Sequence, residues 1–246
     1  RQMCIRDRDE TVLTADRFLG PYTKVREGLR PLNMSAGDFD LVVAPDGKAY
    51  YMFERVHSET IIADLTDDYT DVTGYYSTHF PHPYPPYVRE ATAHFMRNGK
   101  HYLITSGTTG YLPNPSEVAV ADTWHGPYTV LGNPHPGDET DTSYHSQISS
   151  VFKVPGKKDL YIACADRWLP NAMDKDYHVY KKMFEAIFSG KKEEFDFSSM
   201  GEPVVEETRI ADYVWLPLRF VEPCEEYPNG MVFVDWKDEW RIEDYE

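Results

Sequence analysis

Short apolar runs separated by Gly, Pro, Asn and Asp dominate the chain, a pattern that predicts strands joined by tight turns. Asp46-Gly47-Lys48-Ala49-Tyr50 and Asn98-Gly99-Lys100-His101-Tyr102 each place an Asx-Gly pair between two apolar strands, the strongest short hairpin signal. Two further hairpins follow, one over residues 152–165 turning at Pro155-Gly156-Lys157 and one over 213–234 turning near Pro228-Asn229-Gly230. The turn glycines are then spaced by 52, 57 and 74 residues. One segment breaks the pattern. Over residues 176–195, Tyr180, Met183, Phe184, Ile187 and Phe188 recur at helical intervals and predict a single helix inserted on the rim of an otherwise β structure.

The chain also repeats over a longer interval. Ala15-Asp16-x-x-x-Gly20-Pro21-Tyr22-Thr23 returns 106 residues later as Ala121-Asp122-x-x-x-Gly126-Pro127-Tyr128-Thr129, each copy following a short strand. Small antiparallel sheets recurring about every fifty residues without intervening helices are the pattern of a β-propeller rather than a sandwich. Four hairpins, with residues 10–25 as the outer strands of a preceding blade, predict an all-β, five-bladed propeller over residues 9–246 whose first blade is largely missing. Residues 1–8 (RQMCIRDR) have no periodicity and resemble the translated adapter scar of a metagenomic gene fragment, so they are expected to lie outside the fold. On that expectation the natural N-terminus, and any signal for secretion or periplasmic export, preceded what is present here.

Composition agrees with this class. Of 246 residues, 18 are Tyr, 12 Phe, 5 Trp and 18 Pro, which favours β structure rich in turns. A formal net charge of -16 repels phosphate backbones and anionic membrane surfaces, so nucleic acid and membranes are poor partners, and the acidic residues are mostly a solvated surface. No apolar run is long enough for a membrane helix. Cys4, Cys164 and Cys224 are too few and too far apart for a disulfide framework or a CxxC metal site.

The chemistry is expected where innermost strands begin, because those positions face a propeller's channel. Asp38 precedes the apolar run 41–43, Glu90 precedes His94-Phe95, and Gln147 precedes the run 148–152. Their spacings, 52 and 57, follow the turn glycines, so they occupy equivalent places on successive blades and should converge. A hydrogen-bonded structural network is the alternative. Cleaving a glycosidic bond requires a carboxylic acid to protonate the leaving oxygen and a second group to manage water on the other face. A partly buried Glu90 near another acid would have its pKa raised by like charge and desolvation, which suits the acid.

Asp38 in Ser35-Ala36-Gly37-Asp38-Phe39, Arg89-Glu90-Ala91, the run from Asn98 through Leu103-Ile104-Thr105-Ser106-Gly107, Ser146-Gln147, Ala165-Asp166-Arg167-Trp168 and Tyr213-Val214-Trp215-Leu216-Pro217-Leu218 together resemble glycoside hydrolase family 43, nearest its exo-β-1,3-galactanase branch. The resemblance implies an inverting enzyme in which Glu90 is the general acid, Asp38 tunes its pKa and orientation, and Gln147 positions or activates the water. An amide is a poor base by its ordinary chemistry. Inverting geometry separates acid and water-activating group by roughly 6.5 to 9.5 Å. The chain departs from the pattern at Ala91-Thr92, where the family has Ala-Pro, and in the long insertion between Trp168 and Tyr213, which could remodel one wall of the pocket.

Other candidates have structural alternatives. Arg167 and Trp168, and Trp215, could contact a sugar through guanidinium hydrogen bonds and indole stacking, or be core residues. Glu54 could bind a hydroxyl or form a structural salt bridge. His145 could line the pocket or sit over a channel water or ion, although the nine histidines show no HxH or HExxH metal spacing and no cofactor is expected. A serine-hydrolase elbow and a phosphate loop are both absent, Gly107-Thr108-Thr109-Gly110 lacking the required Lys. The expected partner is an oligo- or polysaccharide, most simply a β-1,3-linked galactan. The rivals are a β-xylosidase or α-L-arabinofuranosidase of the same fold, and a non-catalytic glycan-binding propeller.

Overall fold

The computed structural model describes residues 9–202 and 204–246; the adapter-like residues 1–8 lie outside them. The described chain is all-β, with four antiparallel sheets and one α-helix. A two-stranded sheet of β1 (Glu10–Thr14) and β2 (Thr23–Leu29) comes first. Next is a four-stranded sheet of β3 (Ala36–Val43), β4 (Ala49–Arg55), β5 (Glu59–Leu65) and β6 (Val72–His79), in chain order. A second such sheet contains β7 (Arg89–Arg97), β8 (Lys100–Gly107), β9 (Glu117–Ala121) and β10 (Thr129–Gly132). The third contains β11 (Gln147–Lys153), β12 (Tyr161–Arg167), β13 (Asp212–Val221) and β14 (Met231–Val234).

One expectation is overturned. The hairpin over 213–234 is not the start of a further sheet: β13 pairs along β12, with Trp215 opposite Cys164 and Tyr213 opposite Asp166. The 74-residue turn spacing misled because the long insertion, residues 168–211, falls inside this sheet, between its second and third strands. Turn spacing measures sheet spacing only where nothing is inserted within the sheet.

Sheets pack face to face, which explains why their second strands read as unbroken apolar runs. In β4, Tyr50 and Met52 pack towards Leu103, Trp124 and Tyr128 of the next sheet, while Tyr51 and Phe53 join Ile61 and Ala63 on the opposite face. In β8, Tyr102 and Ile104 face Ile148, Tyr161 and Leu216 of the third sheet. Two buried faces leave no polar alternation to see.

The 106-residue repeat is a repeated turn. It joins β1 to β2 and β9 to β10, the Gly20-Pro21 and Gly126-Pro127 peptides are both cis, and the tyrosine two residues after each glycine donates to the carbonyl four residues before it, Phe18 and Trp124. Glycine is required here: at Gly126, φ is +80° and an added Cβ would lie 2.8 Å from the Tyr128 nitrogen. The second copy docks on its neighbour, Trp124 stacking on Tyr50 with centroids 4.1 Å apart. The corresponding residues of the first copy, Phe18 and Leu19, are 89% and 91% exposed.

The helix is present as α1 (Tyr177–Phe188), shorter than the predicted 176–195. Asp176 caps it by accepting from the His178 amide at 2.8 Å, and it stops at Gly190, where φ is +77° and the Lys191 amide bonds back to Ala186 O. Tyr177 and Tyr180 are buried, and the Tyr180 hydroxyl donates to Pro113 O, seating the helix on the loop after β8. The connections 80–88, 108–116, 133–146 and 168–211 all lie at the end where β3, β7 and β11 begin; at the opposite end no connection exceeds the nine residues of 222–230. No described helix is long and apolar enough to cross a membrane.

Candidate active site

The first strands of the three large sheets, β3, β7 and β11, lie side by side, with β7 packed against both neighbours. Each carries an irregularity at its start. The ladder of β3 slips between Ala36 and Phe39, that of β7 between Glu90 and Ala93, and that of β11 between Ile148 and Ser150. Such bulges re-aim the side chains beside them. Asp38 sits in the first, between the rungs Ala36–Arg55 and Phe39–Phe53; Glu90 sits directly before the second, opposite Ser106 on β8; Gln147 sits just before the third, opposite Asp166 on β12. The three residues of the sequence triplet thus start adjoining strands at one end of the molecule.

Backbone strain marks the same places. Ala91, immediately after Glu90, has φ +49° and is buried. Before Gln147, Ser143, Tyr144 and His145 take φ of 55°, 58° and 56°, three successive non-glycine residues in the left-handed region. Each costs on the order of 1–3 kcal/mol and persists only where surroundings fix it. Here Ser143 is fully buried, its hydroxyl accepting from the Ser116 amide and donating to Asn114 O, both at 2.8 Å. The Arg167 guanidinium spans the turn from outside, bonding Tyr144 O at 3.0 Å and His145 O at 3.3 Å. Arg167 is therefore a brace for the segment that delivers Gln147.

Gln147 is tied on both sides. Its Nε2 donates to Ser106 Oγ at 2.7 Å, and its Oε1 accepts from Trp168 Nε1 at 2.9 Å. Ser106 is 2% exposed. The bond crosses from the third sheet to the second and ends on the ladder partner of Glu90.

Sequence reasoning missed several residues that hold this arrangement. Asp40 Oδ2 accepts the His94 amide at 3.0 Å, stitching β3 to β7. Burial raises the Asp40 pKa, and hydrogen bonds from the His94 and Leu41 amides partly offset the rise. Arg89 is buried, bonding Thr105 Oγ1 at 3.0 Å and Thr105 O at 2.6 Å; burial depresses its pKa while Glu117, 4.0 Å away, opposes that. Asn114 bonds both the amide and carbonyl of Gly107, at 2.6 and 2.8 Å, closing the loop that carries Tyr111. At Gly107 a Cβ would meet Pro86 O at 2.6 Å, so this position admits only glycine. The Ser106-Gly107 and Arg89-Glu90 pairs were visible as motifs, but their packing roles were not.

A small cleft of about 10 Å³, room for roughly one water, lies beside Gln147, lined by His145, Asp166, Trp168, Tyr111 and Met173. Trp168 is half-buried and its ring lies 5.8 Å from that of Tyr111. Met173 comes from the insertion, which therefore forms one wall. His145 points a buried Nδ1 without a protein partner, and burial lowers its pKa. Two candidates stand apart. Trp215 is 52% exposed on β13, two ladder steps from the rung that joins Gln147 to Asp166 and Tyr213, and it does not line the cleft. Glu54 is 2% exposed and accepts the His57 amide at 2.6 Å, in the first sheet beside Asp38. Among the described residues, no three His, Cys, Asp or Glu side chains gather as a metal site.

Residues 2–181 match the family model described as glycosyl hydrolases family 43. A solved β-1,3-galactosidase of that family aligns with a TM-score of 0.71 at 26% identity, covering 96% of this chain and 40% of its own. Another, solved with galactodeoxynojirimycin, gives 0.70 at 24% identity, covering 96% and 69%. A variant of an exo-β-1,3-galactanase from Phanerochaete chrysosporium, solved with β-1,3-galactotriose, gives 0.60 at 23% identity, covering 85% and 39%. The chain thus spans well under two thirds of the first and third of these proteins. No curated protein sequence matches it.

Proposed function

This chain belongs to glycosyl hydrolase family 43, and from that membership we propose that it serves as an exo-acting, inverting glycosidase that releases galactose from β-1,3-linked galactan. The observation that carries the reading is the convergence of Asp38, Glu90 and Gln147 on adjoining strands at one end of three packed sheets. The sheets are read as blades of a five-bladed β-propeller, a reading to which their face-to-face packing lends support. Galactodeoxynojirimycin and β-1,3-galactotriose in two of those relatives support a galactose-based substrate here.

In this mechanism Glu90 protonates the departing glycosidic oxygen. Asp38, one strand away, tunes the acidity of Glu90 and keeps it aimed. Gln147 orients the attacking water on the opposite face of the sugar. The chemistry needs no cofactor.

The deciding experiment is Glu90→Gln assayed on two substrates. Turnover of β-1,3-galactobiose should fall by about 10²- to 10⁴-fold, because its leaving group needs a proton. A dinitrophenyl β-galactoside, whose leaving group does not, should be much less affected, with the circular dichroism unchanged. Equal activity on galactobiose would remove Glu90 from the acid role. Aryl xylosides and arabinofuranosides in the same assay decide between galactose and the sugars of the rival reading.

A further inference from the structure

The orientation of the Gln147 amide is fixed by chemistry. An indole N–H can only donate, so the amide atom 2.9 Å from Trp168 Nε1 must be the oxygen. The nitrogen then faces Ser106 Oγ at 2.7 Å, and that hydroxyl must accept. Ser106 stands directly opposite Glu90 in the ladder, and directly opposed residues send their side chains from the same face of a sheet. Ser106 is also 2% exposed, so water does not compete for its hydroxyl.

We propose that Ser106 and Trp168 are positioning residues that lock the Gln147 amide in one orientation and tie the water-handling side of the site to the acid side at Glu90. The inference rests on the role of Gln147 given above. It changes the reading of Trp168 from a stacking platform alone to an orienting donor as well. It also gives Gln147 a defined job. An amide oxygen that already accepts from an indole is a weaker proton acceptor still, whereas its second lone pair and the second amide hydrogen are held in fixed directions. The clamped amide aims a water rather than deprotonating it.

The test uses three substitutions and two readouts. Trp168→Phe keeps an aromatic ring and removes the donor; Ser106→Ala removes the acceptor; Ser106→Thr keeps it. On β-1,3-galactobiose the first two should lower kcat by about ten- to a hundredfold with KM within about twofold, and Ser106→Thr should recover most of the loss. Unchanged kcat in both, a loss carried by KM alone, or a Thr variant as impaired as the Ala variant would overturn the proposal. The second readout is independent of turnover. The Trp168 indole N–H resonance, assigned by its absence in Trp168→Phe, should exchange faster with solvent in Gln147→Ala, and unaltered exchange would refute the clamp itself. If Gln147→Ala speeds that exchange yet leaves kcat intact, the bond is real but Gln147 has no catalytic task, and both readings fall for a reason distinct from failure of the clamp.

Discussion

A guanidinium without water has to find its partners in the backbone, and Arg89 does so beside the proposed acid. Its bonds run to Thr105 Oγ1, Thr105 O and Pro115 O. Arg89→Met should destabilise the chain by about 2–4 kcal/mol, since the orphaned acceptors stay buried. Urea unfolding would register this as a lower midpoint with the slope preserved. At this scale the sequence was legible in placement, Asp38, Glu90 and Gln147 each falling at the start of one of three adjoining strands. It was silent where a residue serves its neighbours. Nothing in Ser143-Tyr144-His145 announces three left-handed residues, because such positions usually show themselves as glycine. Arg167 was visible as a polar residue near the site, but its task of bracing two carbonyls depends on that hidden turn.

Among elements, the contact between the first two large sheets holds an acid-sensitive pair. His94 Nε2 and His101 Nδ1 are 3.1 Å apart, one donating to the other, with Trp124 stacked 4.7 Å from His94. Burial, reinforced by the neighbouring His101, pushes His94 down to about 3, and burial lowers His101 too. An unfolded imidazole titrates near ~6.5, so the unfolded chain takes up protons that the folded pair refuses. Stability from this pair is fully present above that pH and is lost as pH falls towards the folded value, at up to about 1.4 kcal/mol per unit for each ring. Unfolding midpoints measured from pH 7 down to pH 4 should decline, and His94→Gln should make the decline shallower. The repeated turn offers a second test. Gly126→Ala forces a side chain into a left-handed residue against the Tyr128 amide and should cost about 2 kcal/mol or more, read by thermal unfolding. Strands, the repeated turn and the helix could be read from periodicity because each follows a local rule. The membership of β13 and β14 in the third sheet could not, since a 44-residue insertion, 168–211, separates β13 from the partner that defines it.

For the molecule as a whole, a net charge of -16 acts against compactness through self-repulsion that salt screens. Raising the ionic strength from low to physiological should therefore raise the thermal midpoint, while KM for an uncharged galactan stays constant. A KM that moved with salt would show that the substrate carries charge. From the sequence, charge made nucleic acid and membranes poor partners, while the face-to-face packing of the sheets became visible only in the structure.

The two ends of the packed sheets are built to different standards. At one, connections run to at most nine residues and several turn on glycines with positive φ; at the other, connections of up to forty-four residues lie across the strand starts. Lengthening such a connection costs little, because closure entropy grows only with the logarithm of its length. Specificity can therefore be rewritten at one end without disturbing the frame that aims the reacting groups. Exchanging the 168–211 segment for one of different length is the natural way to ask this scaffold for another sugar.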